Sequence, residues 1–279
     1  MENSGRFEFH CHSHYSHGRK IRTEAIPSPL KVVRKARELG LSGIALTDHD
    51  SVEGHREARE EAKRLGLLFI PGVEISTSAG HLLALGVEEP ISPGMGVRET
   101  VDRVHDCGGI AIGDHPFDML GLGMRLEMRH TDAIEVHNAL NMNKVSNWIA
   151  ERQARKMGKP MVAGSDAHTL EMVGAAPNIL KDVGGVDDIL KAIRKGNLTF
   201  ERGYVPVEEI VDWSRLRLAG SYLEVLEYVR KNYSPPRAWL AERLMKKFVR
   251  SYSRFWGYLG EFGYACSRPY SRVKMRHYW

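Results

Sequence analysis

The chain has 279 residues, 42% hydrophobic and 27% charged, the balance of an ordinary folded chain rather than a disordered or fibrous one. No run of about 18 apolar residues exists to span a bilayer, and Met1-Glu2-Asn3-Ser4-Gly5-Arg6 lacks the regions of a secretion signal. The net charge of +5 conceals two unlike parts: residues 213–279 hold 14 Lys and Arg against 4 Asp and Glu, and residues 1–212 hold 26 against 31.

In chain order, the first informative stretch is Phe7-Glu8-Phe9-His10-Cys11-His12-Ser13-His14-Tyr15-Ser16-His17-Gly18. His10, His12 and His14 alternate, and alternate side chains of an extended segment share a face, so two imidazoles can grip one ion. Ser16-His17-Gly18 reads as a turn that swings His17 back over the strand end. Ser28-Pro29 opens a helix through Leu39 that stops at Gly40. Gly43–Thr47 is a buried strand ending in Asp48-His49-Asp50, and Ser51 caps a helix that runs to Leu65 and Gly66. Leu67–Val73 ends in Glu74, and His81 starts the strand that runs to Gly86. Val97–Cys107 is helical, Ile110–Gly113 leads into Asp114-His115-Pro116, and Ala133–Val136 ends at His137-Asn138. Lys144–Met157 is helical, Met161–Gly164 leads into Ser165-Asp166-Ala167-His168, and Val186–Lys195 forms one more helix. Repeated strand–helix units imply a mainly parallel α/β sheet, open or closed into a barrel. Polar, metal-competent residues at nearly every strand end favour the barrel, whose C-terminal rim carries chemistry.

Imidazoles and carboxylates converging on one rim suit Zn, Mn or Fe; Mg is less suited, since it wants an oxygen cage. The candidates exceed what one ion needs, so two or three divalent ions are expected. Clustered ions serve hydrolysis of a phosphate ester. The three cysteines, Cys11, Cys107 and Cys266, form no CxxC pair and read as free thiols of a cytoplasmic protein.

His10-x-His12 with Ser16-His17-Gly18, Thr47-Asp48-His49-Asp50, Gly72-Val73-Glu74, Asp114-His115-Pro116, Glu135-x-x-Asn138 and Gly164-Ser165-Asp166-Ala167-His168 together resemble the polymerase and histidinol phosphatase (PHP) family over about residues 7–205. The resemblance implies a distorted (β/α)7 TIM-like barrel with a trinuclear site. His10, His12 and Asp166 would hold one ion, Glu74 would bridge to a second completed by His81 and His115, and His17, His49 and His168 would hold a third. Glu8 stands where many members have Asp. The implied reaction is attack on phosphorus by metal-activated hydroxide, on a small phosphomonoester or a nucleotide. Asp48 and His137 are the catalytic candidates, without an assigned general acid; His137 is alternatively structural. Arg19, Lys20 and His14 are candidate substrate contacts, the bland account of Arg19 and Lys20 being a solvated basic loop. Thr47–Gly54 looks more like the nucleotide branch of the family, which makes a 5′→3′ exonuclease or nucleoside-bisphosphate phosphatase the alternative. An inactive scaffold that binds nucleic acid or protein is a further one.

The composition places a domain boundary after residue 212. Residues 213–279, with 15 of the chain's 23 aromatics, read as a basic helical extension, with helices over Tyr222–Tyr233 and Ala238–Tyr258 and a disordered end over Arg268–Trp279. Its role stays open between packing on the barrel, contact with single-stranded nucleic acid, and a membrane surface or protein partner.

Overall fold

Apolar runs bounded by Gly and Pro form the strands of a nearly closed sheet in the computed structural model, which describes residues 4–18, 21–141, 144–250 and 254–278. The strands are β1 (Ser4–Glu8), β2 (Gly43–Leu46), β3 (Leu68–Ser76), β4 (His81–Leu85), β5 (Ile110–Gly113), β6 (Ala133–Asn138), β7 (Met161–Gly164), β8 (Asn178–Lys181) and β9 (Thr199–Phe200). Their order is β7-β6-β5-β4-β3-β2-β1-β8-β9. At the seam between β7 and β8 a side chain stands in for a strand: the Asn178 carboxamide accepts from Ala163 N–H at 3.0 Å and donates to its carbonyl at 2.7 Å. The barrel expected from the strand–helix alternation is therefore present.

Both faces of the strands are covered, which is why they read as continuous apolar runs. Ala45, Leu83, Leu85, Ile110, Ile112 and Val162 fill the interior together with Ile189, Leu190 and Ile193 of helix α5 (Val186–Lys195). Alternate residues, such as Ile44 and Leu46, face outward and pack beneath helices α1 (Pro29–Glu38) and α2 (His55–Leu65). Helices α3 (Val97–Asp106) and α4 (Lys144–Met157) cover Ala84, Ala111, Ile134 and Val136 in the same way. Helix α2 starts at His55 rather than after Ser51, because Ser51 Oγ accepts from Glu53 N–H and closes a turn first.

Strand direction is where the sheet departs from uniform alternation. β1–β2–β3 and β5–β6–β7 are parallel, but β4 runs antiparallel to both β3 and β5. Reversing β4 brings its first residue, His81, to the rim where β1, β3, β5, β6 and β7 end; β8 is likewise antiparallel to β1.

The extension is helical: α6 (Val207–Gly220), α7 (Tyr222–Asn232), α8 (Pro235–Arg250) and α9 (Arg254–Lys274). α6 runs through residues 212 and 213, where the change of composition falls. The expected disordered end docks instead, as far as residue 278; Trp279 lies outside the described residues. Ser271 and Met275 are buried, the Tyr278 carbonyl accepts from Gln153 Nε2 at 2.6 Å, and the Tyr278 ring packs edge-on to Phe117. Among the described residues no helix is long and apolar enough to cross a membrane.

Candidate metal centre

Four buried side chains meet where β1, β3 and β7 end. His10 Nε2 and His12 Nε2 lie 3.1 Å apart; Glu74 Oε2 is 3.5 and 3.3 Å from them, and Asp166 Oδ1 is 3.5 and 3.3 Å. Donors about 2.0–2.1 Å from one ion at tetrahedral angles lie about 3.3–3.4 Å apart, so these five separations suit imidazole and carboxylate donors that share an ion. The donor set fits such an ion in kind as well as in spacing.

The second nitrogen of each imidazole is held by the protein. His10 Nδ1 is 3.0 Å from Glu135 Oε1, and His12 Nδ1 is 2.9 Å from Ser16 Oγ. With those nitrogens carrying the protons, both Nε2 lone pairs face the shared centre. Glu135 reaches His10 because Gly164 lies between them without a side chain; a Cβ there would collide with Glu135 Oε1 and sit 2.6 Å from His10 Cβ. Asn138 donates to Glu135 Oε2 at 3.0 Å and to Asp166 Oδ2 at 3.1 Å, aided by a register shift in β6 between Glu135 and His137. Asp166 and His115 adopt positive φ (52° and 20°), backbone strain of the kind found at functional sites.

The other oxygen of Glu74 faces a second group: Oε1 is 2.5 Å from His81 Nδ1 and 3.3 Å from His115 Nε2. Asp114 joins it, 3.1 Å from His115 and 3.3 Å from His10 Nδ1. Glu74 Oε2, His81 Nδ1 and both Asp114 oxygens are buried without a hydrogen-bond partner, an arrangement a cation would satisfy. The four buried carboxylates here, Glu74, Asp114, Glu135 and Asp166, carry negative charge that bound cations would balance.

A third group brings His49 and His168 beside His12. Burial holds all three neutral near pH 7, pushing His12 and His49 down to about 4 and His168 to about 3. Glu74 and Asp166 go the other way: burial would raise them, but the surrounding imidazoles hold both well below the usual carboxylate range. Burial pushes Asp114 well up.

Eight of the nine expected ligands are thus brought together: His10, His12, His49, Glu74, His81, His115, Asp166 and His168. His17 is not among them. It is exposed, bridged to Thr23, and faces outward into a pocket with His14 and Arg22. The carboxylate facing His49 Nε2, at 3.7 Å, is instead that of Glu24.

Asp48 is buried and accepts from Ser13 N–H at 2.5 Å and Ser13 O–H at 2.7 Å, tying the His12–Ser16 loop to β2. Burial raises it to about 7 against those bonds. His137 uses both ring nitrogens on the protein, at 2.7 Å from the Gly203 carbonyl and 3.4 Å from Asn147 Nδ2. It belongs to no metal-competent cluster of the described residues. His14 is exposed, its ring against Tyr15. Arg19 and Lys20 lie outside the described residues.

Glu8 accepts from the N–H groups of Phe9, His10, Ser165 and Gly174 and so ties β1 to the Asp166 loop; the longer acid where Asp is common spans the gap. Asp114, Glu135 and Asn138 stood inside recognised motifs without a role. Glu24 stood in none, and no spacing singles it out.

A family model described as PHP-associated (PHP_C) matches residues 144–198. The uncharacterized protein MJ1587 of Methanocaldococcus jannaschii is 30% identical over 149 residues, 51% of this chain and 87% of that one. A 5′-3′ exoribonuclease of Haemophilus influenzae is 30% identical over 39% of this chain and 39% of its own. A 3′,5′-nucleoside bisphosphate phosphatase of Chromobacterium violaceum is 35% identical over 32% of this chain and 30% of its own. The chain therefore spans well under half of these two enzymes. Among solved structures, a two-domain protein of Bacteroides vulgatus, described as containing a predicted PHP-like metal-dependent phosphoesterase, superposes with TM-score 0.61 at 18% identity, covering 72% of this chain and 66% of that one. With the motifs in order around one rim, the barrel that carries them and these relatives, the chain belongs to the PHP family of metal-dependent phosphoesterases.

Proposed function

We propose that the protein hydrolyses a phosphate ester, a small phosphomonoester or a nucleotide, at the rim centre with two or three divalent ions bound. The observation that carries this reading is the buried pair His10 and His12 with Glu74 and Asp166 each 3.3–3.5 Å from both imidazoles, joined through Glu74 to His81 and His115. When bound, such ions polarise the phosphoryl group and lower the pKa of a water molecule. The protein's part is positioning. Glu135 and Ser16 hold His10 and His12 in the tautomers that present Nε2, Asn138 braces Asp166, and Asp48 anchors the loop that carries His12. His14, His17 and Arg22 line an open pocket on the outer side of the same loop and are the groups to receive the rest of the substrate.

The test is a screen of metal-stripped protein reloaded with Mn, Zn or Fe. Its panel is p-nitrophenyl phosphate, mononucleotides, 3′,5′-nucleoside bisphosphates, histidinol phosphate and 5′-phosphorylated oligonucleotides. Metal-dependent phosphate release on at least one, lost in Glu74→Gln, is expected. No release on any of them with any of the three metals would overturn the proposal.

A second reading, action on nucleic-acid ends, is favoured by the exoribonuclease relative and by aromatics that α8 and α9 leave exposed among basic residues, Trp239, Phe255, Tyr258 and Phe262. On this reading charge reversal at Lys246 and Lys247 lowers oligonucleotide turnover and spares p-nitrophenyl phosphate.

A further inference from the structure

Helix α6 reaches the metal centre with two side chains. The Trp213 ring packs on the His168 ring, centroids 4.5 Å apart, and its Nε1–H donates to the Glu24 carbonyl at 2.7 Å. One turn later the Arg217 guanidinium lies 4.6 Å over the Trp213 ring, donates to Glu24 Oε1 at 3.2 Å and approaches the Thr23 carbonyl at 3.4 Å. Thr23 N–H donates to Ser221 Oγ at 2.9 Å, just past the helix end. These contacts hold a loop without regular structure of its own, and in one orientation. Glu24 Oε1 is taken by Arg217, while Oε2 turns inward to 3.7 Å from His49 Nε2.

The third group needs such a donor. His12 Nε2 already faces the centre shared with His10 and Asp166 and its Nδ1 lies on Ser16, so it has no nitrogen left for another ion. His49 Nδ1 lies 3.1 Å from Glu74 Oε2, leaving Nε2 for the side where Glu24 lies. His168 Nδ1 donates to the Asp166 carbonyl at 2.8 Å, leaving its Nε2. That makes two nitrogens, where a bound ion takes at least three protein donors. An N···O separation of 3.7 Å subtends about 120° at an ion about 2.1 Å from each atom, an ordinary ligand angle.

We propose that Glu24 is a ligand of the metal centre, completing with His49 and His168 a position that helix α6 assembles through Trp213 and Arg217. The inference rests on the metal-centre reading above. It makes the start of the C-terminal helices part of the site: Trp213 and Arg217 are positioning residues, and Glu24 touches the ion.

The experiment counts ions. Wild type, Glu24→Gln, Arg217→Met, Arg217→Lys and Glu74→Gln, each checked for folding by circular dichroism, are dialysed against Zn and against Mn. Metal per chain is then read by mass spectrometry, and affinities by calorimetry. Glu24→Gln is expected to lose one equivalent, or to bind its weakest ion about 10- to 100-fold more weakly, while the site of His10, His12 and Asp166 keeps its affinity. Arg217→Met should weaken the same ion less, and Arg217→Lys should recover part of the loss, since Lys pairs with the carboxylate but cannot also hold Thr23. Should Glu24→Gln not fold, Glu24→Asp, one methylene short of the ion, carries the same comparison. Equal ion count and affinities in wild type and Glu24→Gln, with loss in Glu74→Gln, would overturn this inference alone. A wild-type chain that binds no ion would overturn the metal-centre reading itself.

Discussion

Glu74→Gln puts the largest single demand on the proposed centre. The carboxylate is buried and touches five imidazoles, with Oε2 at 3.5, 3.3 and 3.1 Å from His10, His12 and His49, and Oε1 at 2.5 and 3.3 Å from His81 and His115. Glutamine keeps the length and shape, removes the charge and replaces one oxygen with a donor NH2. Taking one charged member from a buried, compensated cluster costs about 3–5 kcal/mol. At about 1.4 kcal/mol per decade, ion affinity should fall by a factor of roughly 10² to 10⁴. On the proposed reading each oxygen would serve a different ion, so two binding steps should weaken together, which replacing a ligand of one ion would not do. Calorimetric titration of the metal-stripped variant with Zn, against a competing chelator, reads both steps. Binding within about threefold of wild type at both would refute the bridging role.

Gly164→Ala would drive a Cβ into Glu135 Oε1 and against His10, so we expect a loss of about 1–3 kcal/mol on thermal unfolding together with weaker ion binding. Unchanged ion affinity would mean that Glu135 does not orient His10. Glu61 of α2 reaches Arg34 of α1, and Arg64 of its own helix together with Arg34 holds it down to about 2 from 4.5. Between those values the unfolded chain binds more protons, so the pair's contribution is complete above about pH 4.5 and is lost as pH falls toward 2. The gap in urea midpoint between wild type and Glu61→Gln should be constant from pH 5 to 8 and narrow below 4.5; a gap that does not vary with pH would contradict the assignment. His137→Gln should lower the melting temperature, by the worth of one or two hydrogen bonds of about 0.5–1.5 kcal/mol each, and leave kcat within about threefold. A loss of kcat beyond 100-fold in a stable variant would place His137 in the reaction.

The barrel was legible because its strands are buried on both faces and stop at polar residues, and both facts are written in linear order. Direction was not. Periodicity is blind to strand polarity, yet His81 carried a clue: a ligand at the first residue of its strand reaches a shared rim only if that strand runs backward, as β4 does. Motif position singled out His17, whose loop is turned outward by its bridge to Thr23. Glu24 and Arg217 escaped notice because 193 residues separate them and neither lies in a motif. The change in charge falls after residue 212, whereas α6 runs through that point from Val207 to Gly220.

Anomalous diffraction from a crystal loaded with Zn or Mn tests the central claim most directly. A peak about 2 Å from His10 Nε2, His12 Nε2, Glu74 Oε2 and Asp166 Oδ1, with a second beside Glu74 Oε1, His81 and His115, is the predicted result. Peaks confined to the surface, with these side chains paired to one another as they stand, would contradict it.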